Sequence, residues 1–203
     1  MTIHSIHDGA FRTYGQALDR FQLDAACRAA LEVPKPETGI AYLPSVEALE
    51  QEPAIRAAAQ ELFGEAAVQI GVCNGYNREM STVEYHKSSE ANIACTPLLL
   101  FFGHIWDLED NRYDLSSLEL FRAEAGDVFE VYGTTLHFAP CQAEDGGFCS
   151  IVILPKGTGE ILPAPCPDQT LAKINKWLIT HPDNAAMRAR GVPAMLTGSI
   201  RKV

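Results

Sequence analysis

Glu84-Tyr85-His86-Lys87-Ser88-Ser89-Glu90 ends a strand-like run, Ser81 to His86, and leads into a turn. On a strand, residues two apart point to the same face. Glu84 and His86 therefore project together, while Val83, Tyr85 and Lys87 face away. Ser88-Ser89 turns the chain, and Glu90 can return to the first side. A carboxylate, an imidazole and a second carboxylate then lie within reach of one ion. Mixed oxygen and nitrogen donors suit Mn, Fe, Ni or Zn.

The surrounding sequence supports a β reading. Val68 to Val72, Ser81 to His86, Leu98 to Trp106, Leu118 to Ala123, Val128 to Tyr132 and Phe148 to Leu154 are strand-like, and most are bounded by Gly, Asn, Asp or Pro. Glu124-Ala125-Gly126-Asp127 reads as a hairpin turn, and Ala143 to Gly147 as a second polar turn. Short strands at near-regular spacing between about residues 66 and 155 predict a sandwich or barrel.

The flanks read differently. Apolar residues from Phe21 to Leu31 and from Val46 to Leu62 recur at helical spacing, so residues 1 to about 65 are expected to be mainly helical, with a short strand at Gly39 to Leu43. After residue 156 comes a proline-rich connector, Leu162 to Pro167. Asp168 then reads as the N-cap of a helix carrying Leu171, Ile174, Trp177 and Leu178. Lys156-Gly157-Thr158-Gly159 lacks the order of a phosphate-binding loop and reads as the turn leaving a strand. The 203 residues are read as one domain.

A second segment complements the first. Tyr132-Gly133-Thr134-Thr135-Leu136-His137-Phe138 follows a strand and carries a histidine between apolar neighbours. A barrel could place His137 opposite Glu84 and His86. On Leu98 to Trp106, His104 shares a face with Phe102 and Trp106, where it could meet a substrate. Arg78 precedes the ligand strand and would suit a carboxylate or phosphate. All of these residues also admit a purely structural reading: Glu84, His86 and Lys87 on a solvated edge strand, His104 and His137 as hydrogen-bonded core histidines, and Arg78 in a solvated loop.

These residues resemble the cupin superfamily, small β-barrels with two short motifs. The first runs G, five residues, H-x-H, three or four residues, E, six residues, G. Here Glu84-x-His86, three residues, Glu90 keeps the spacing, Glu84 replaces the first His, and Arg78 and Pro97 replace the glycines. The second runs G, five residues, P-x-G, two residues, H, three residues, N. Gly126, Tyr132, Thr134, His137 and Cys141 occupy those positions. The resemblance covers about residues 70 to 155 and is nearest to a bacterial cupin-like group of unknown function. It implies a mainly β fold, a cupin-like antiparallel barrel (jelly roll), to which the helices read in the flanks add extensions at both ends. It also implies a divalent transition metal on Glu84, His86, Glu90 and His137, with His104 or Glu90 as proton-transfer group. Arg78, Lys87, Trp106 and Tyr132 are then the candidates for substrate contact. The activity it implies is an isomerase or epimerase of a small sugar or sugar acid. A metal-dependent oxygenase and a non-catalytic barrel binding a carbohydrate or metabolite stand as alternatives.

Charge and composition narrow the partners. There are 16 Lys and Arg against 26 Asp and Glu, a net of −10. That field does not favour nucleic acid without a local basic stripe. No apolar run reaches the ~18 residues of a membrane span, and the N-terminus lacks the basic-then-apolar pattern of an export signal. The six cysteines show no C-x-x-C pair and read as reduced thiols of a cytoplasmic protein. The expected partners are a small-molecule substrate and a second copy in a homodimer, since pairing across a two-fold axis is a common cover for edge strands; N-terminal helices over the edge, leaving a monomer, are the alternative.

Overall fold

A computed structural model describes residues 2–203. The fold is mainly β, and most of its strand pairs are antiparallel. A six-stranded sheet runs in the order Gly15–Ala17, Val128–Val131, Glu90–Ala94, Phe148–Pro155, Val68–Gly75, Ile40–Leu43. A second sheet orders Ile3–Ser5, Glu119–Ala123, Leu98–His104 and Thr135–Leu136, with Cys141–Gln142 also pairing to Leu98–His104. Hydrogen bonding runs along these separate sheets and does not close into one ring of strands, so the expected barrel is an open pair of sheets.

Period-two alternation explains how the sheets face each other. On Phe148–Pro155, the side chains of Phe148, Val152 and Leu154 join Leu100, Phe102 and Phe121 of the other sheet in one buried cluster. Cys149, Ile151 and Ile153 point the other way, into a cluster with the helices. The strand is buried over nearly its whole length, which fits its continuous apolar sequence. The turn at Gly126 forms as read, with φ at +95°. It does not make a hairpin, because Glu119–Ala123 and Val128–Val131 pair in different sheets. The turn ending in Gly147 likewise carries the chain from Cys141–Gln142 in one sheet to Phe148 in the other.

The expected N-terminal helices are present in part. Helices Asp24–Leu31, Glu47–Glu50 and Pro53–Phe63 contribute Ala26, Leu49 and Ile55 to the cluster on the outer face of the six-stranded sheet. Pro53 opens the third, where its missing N–H costs nothing, and Gly64 closes it at a left-handed φ of +56°. The first twenty residues hold only a short 3-10 helix, Gly9–Thr13, and no α-helix as expected: Ile3–Ser5 and Gly15–Ala17 on either side of it each extend one of the two sheets.

The C-terminal helix expected from Asp168 is absent. Leu171–Lys173 and Lys176–Thr180 form a hairpin whose second strand pairs with Thr82–Tyr85, the strand that carries Glu84. Asp168 accepts from the Thr170 backbone N–H and from the Trp177 indole, so it caps a turn and not a helix. Helical structure in this region is confined to Ala185–Ala189.

Candidate metal centre

Glu84, His86, Glu90 and His137 come from three segments that the fold brings together. Glu84 and His137 exchange both backbone hydrogen bonds, at 2.7 and 2.9 Å, which fixes His137 opposite the Glu84 strand. Glu90 opens the central strand Glu90–Ala94, and its side chain faces between the sheets with that of Asn92. All four are buried. Potential ligand atoms of Glu84, His86 and His137 lie within 4.8 Å of one another. Oε2 of Glu90 is 3.6 Å from His86 Nε2 and 3.4 Å from His137 Nε2. Oε1 of the same carboxylate accepts from Asn92 Nδ2 at 2.8 Å.

Each imidazole is held from behind. Nδ1 of His86 pairs with the Asn175 carbonyl at 2.6 Å, and Nδ1 of His137 with the Thr135 carbonyl at 3.0 Å. A carbonyl can only accept, so both Nδ1 atoms are donors and each Nε2 faces the cluster. That is the orientation in which histidines usually ligate metals. Nε2 of His137 is buried and makes no hydrogen bond, and such an orphan calls for an explanation. A divalent transition metal fits these donors: two imidazole nitrogens and two carboxylates.

Charges in the cluster set one another's protonation in the absence of a metal. Burial alone would push the Glu90 carboxyl up. The nearby charges of His137 and His86, with the hydrogen bond from Asn92, outweigh it and hold the pKa at about 2. Burial would likewise depress His137, but Glu90 and Glu84 raise it to about 9. His86 is lowered, because burial dominates over the same two carboxylates. Glu84 is lowered against its burial, chiefly by the ammonium of Lys176, with which it forms an ion pair.

The four residues line a cavity of about 140 Å³. Its other walls are largely apolar, with Leu100, Phe102, Phe129, Val131, Val152 and Leu154 among them. Several expected contacts lie outside this lining. His104 is one: its ring is stacked between Tyr14 at 4.2 Å and Trp106 at 4.0 Å, at the far end of its strand. Alternation does place it on the face of Phe102, but the strand runs past the cavity before His104 is reached. Arg78 is tied to Asp145 at 2.6 Å. Lys87 lies over the Trp177 ring at 4.8 Å. Trp106 is 60% exposed. Tyr132 does not line the cavity either.

Lys176, Asn175 and Asn92 were not among the sequence candidates. Assigning a helix after Asp168 hid the first two. The signal against that helix is Ile174-Asn175, a two-residue connection between the paired Lys173 and Lys176, with Asn175 at φ +52°. Asn tolerates the left-handed region that tight hairpins require.

No curated protein matches the chain. Among solved structures it is similar to Peruvianin-I, described as a cysteine peptidase from Thevetia peruviana latex. That match has 17% identity over 61% of this chain and 65% of that chain, with a TM-score of 0.37. It is also similar to an oxalate oxidase in complex with the substrate analogue glycolate, at 14% identity over 59% of this chain and 52% of that chain, TM-score 0.36. A third is salicylate 1,2-dioxygenase from Pseudoaminobacter salicylatoxidans, at 11% identity over 65% of this chain and 31% of that chain, TM-score 0.33. The chain spans less than two thirds of each of these proteins. Its motif spacing and the meeting of its motif residues resemble the cupin superfamily. A family profile described as a domain of unknown function matches residues 3–200, and the chain belongs to that family, DUF4867.

Proposed function

We propose that the protein is a divalent-metal enzyme, an isomerase or epimerase that moves a proton between adjacent carbons of a small sugar acid. One observation carries the reading. Two imidazoles with their Nδ1 atoms fixed by carbonyls turn Nε2 toward the same two carboxylates inside a buried cavity. Glu84, His86, Glu90 and His137 would hold the metal. When bound it supplies Lewis-acid polarisation of a hydroxyl-carbonyl pair.

The chain's own groups do the rest. Glu90 has Oε1 on Asn92 and Oε2 turned to the cluster, so it is the carboxylate assigned to take up a proton once substrate enters. Lys176 presents an ammonium beside Glu84, where developing negative charge on a substrate oxygen would be stabilised. His104 lies outside the cavity lining and is not assigned the proton-transfer role. The test is incubation of manganese-loaded protein with a panel of hydroxy and keto acids in deuterated water. Deuterium entering the carbon next to the carbonyl, seen by proton NMR, supports the reading. Full metal loading with no exchange across the panel contradicts it.

A metal-dependent oxygenase is the second reading, favoured by the wall of Phe102, Phe129, Val131, Val152 and Leu154. That wall offers no partners to a polyhydroxylated sugar and suits a substrate with an apolar portion. Oxygen uptake by the iron-loaded protein would support it over the isomerase.

A further inference from the structure

The cavity has an outer neighbour. A second space of about 300 Å³ shares Tyr42, Thr158, Gly159 and Lys176 with the inner one. Its remaining lining includes Lys156 and Lys173. Lys176 lines both spaces, with its ammonium on Glu84.

Three lysines around one recess run against the charge of a chain with net −10. Lys173 and Lys176 are direct cross-strand partners at the end of their hairpin. Like charges in that position destabilise a hairpin. Glu84 answers only Lys176; Lys156 and Lys173 make no ion pair with any carboxylate among the described residues. Two carboxylates do line the recess, Glu50 and Glu160. Glu50 is engaged by the Ser45 hydroxyl at 2.6 Å and faces the Ile70 N–H at 3.5 Å. The Lys156-Gly157-Thr158-Gly159 turn offers no backbone cradle. Its four N–H groups are taken by Ala67, Gln69, Pro155 and Ile174. Recognition in the recess therefore falls to the ammonium groups.

We propose that the outer recess binds the anionic far end of the substrate through Lys156 and Lys173. The substrate class is then a small acid with an oxygen-bearing end at the Glu84–His86–Glu90–His137 cluster and a second carboxylate or a phosphate at the other end. This rests on the metal-enzyme reading and narrows its substrate.

The test uses manganese-loaded protein and calorimetric titration with malate, 3-phosphoglycerate and 2-hydroxybutyrate. The first two carry a second anionic group, a carboxylate and a phosphate respectively. The third lacks one. At least one of the first two is expected to bind 10-fold or more tighter than 2-hydroxybutyrate, and which one separates carboxylate from phosphate. The double variant Lys156→Gln with Lys173→Gln is expected to reduce that preference to 3-fold or less. Its affinity for 2-hydroxybutyrate and its manganese content should stay unchanged. Equal binding of all three, no binding with manganese retained, or a preference that survives the double substitution would overturn the proposal. Failure of the unsubstituted protein to hold manganese would instead sink the metal-enzyme reading beneath it.

Discussion

His86 and His137 lie with ring centroids 5.3 Å apart, and each is oriented by a backbone carbonyl behind it. Because the carbonyls belong to Asn175 and Thr135, the hairpin Leu171–Thr180 and the strand Thr135–Leu136 position one imidazole each. Neither ring can turn away from the cluster without losing a buried hydrogen bond, a loss of about 1–3 kcal/mol. Replacing His137 by Ala should remove a donor and leave Glu90 without its main positive neighbour. Divalent-metal affinity is expected to fall at least 100-fold by calorimetry, with the circular dichroism spectrum unchanged.

Lys176→Met takes away the cation that pairs with buried Glu84. Breaking one side of such a pair costs about 3 kcal/mol. Chemical denaturation of the metal-free variant should show a loss of that order. Added manganese should restore most of it, because Glu84 then faces a cation again. An equal loss with and without manganese would mean that Glu84 does not face the bound ion.

Asn175→Gly keeps the left-handed backbone at φ +52° and the carbonyl that holds His86. It removes the side-chain hydrogen bonds to the Lys87 N–H, Ser88 and Thr158. Loss of the shell that supports a ligating histidine typically costs about 10–100-fold in metal affinity. A drop at the lower end of that range is expected, since the carbonyl remains. Asn175→Ala should be worse, because Ala adopts that φ with strain.

The fold was legible where a strand is a nearly continuous apolar run buried on both faces, as in Leu98 to Trp106 and Phe148 to Leu154. The strand Glu90–Ala94 was not foreseen, since Glu-Ala-Asn-Ile-Ala carries polar residues on the cavity face where a core strand should be apolar. The site's demand for Glu90 and Asn92 there broke the local rule. The hairpin of Lys176 was hidden by the opposite fault. Leu171, Ile174, Trp177 and Leu178 match helical spacing, but pairing to Thr82–Tyr85 overrides that preference. The spacing of Glu84, His86, Glu90 and His137 placed the cluster in advance. It could not show that His104 falls beyond the cavity, because alternation fixes the face of a residue and not its distance along the strand.

Proton competition gives a pH signature. In the metal-free protein His137 is raised from 6.5 to about 9 by Glu90 and Glu84 against its burial, so its contribution to stability is complete below 6.5 and lost as pH rises through about 9. Glu90 is lowered from 4.5 to about 2, chiefly by His137 against its burial, so its contribution is complete above 4.5 and lost as pH falls through about 2. Metal-free stability should therefore be greatest between those limits and decline on the alkaline side. Metal needs neutral His137, so its affinity should rise with pH and about one proton should be released per ion bound near neutral pH. Calorimetry in buffers of different ionisation enthalpy measures that proton directly.

Elemental analysis of protein purified without chelator tests the metal centre most directly. About one transition-metal ion per chain is expected, lost on substitution of His86 or His137 and retained on substitution of His104. Protein that carries no stoichiometric metal as isolated, and binds none of manganese, iron, nickel or zinc when each is supplied at micromolar concentration, would contradict the assignment of Glu84, His86, Glu90 and His137 as ligands.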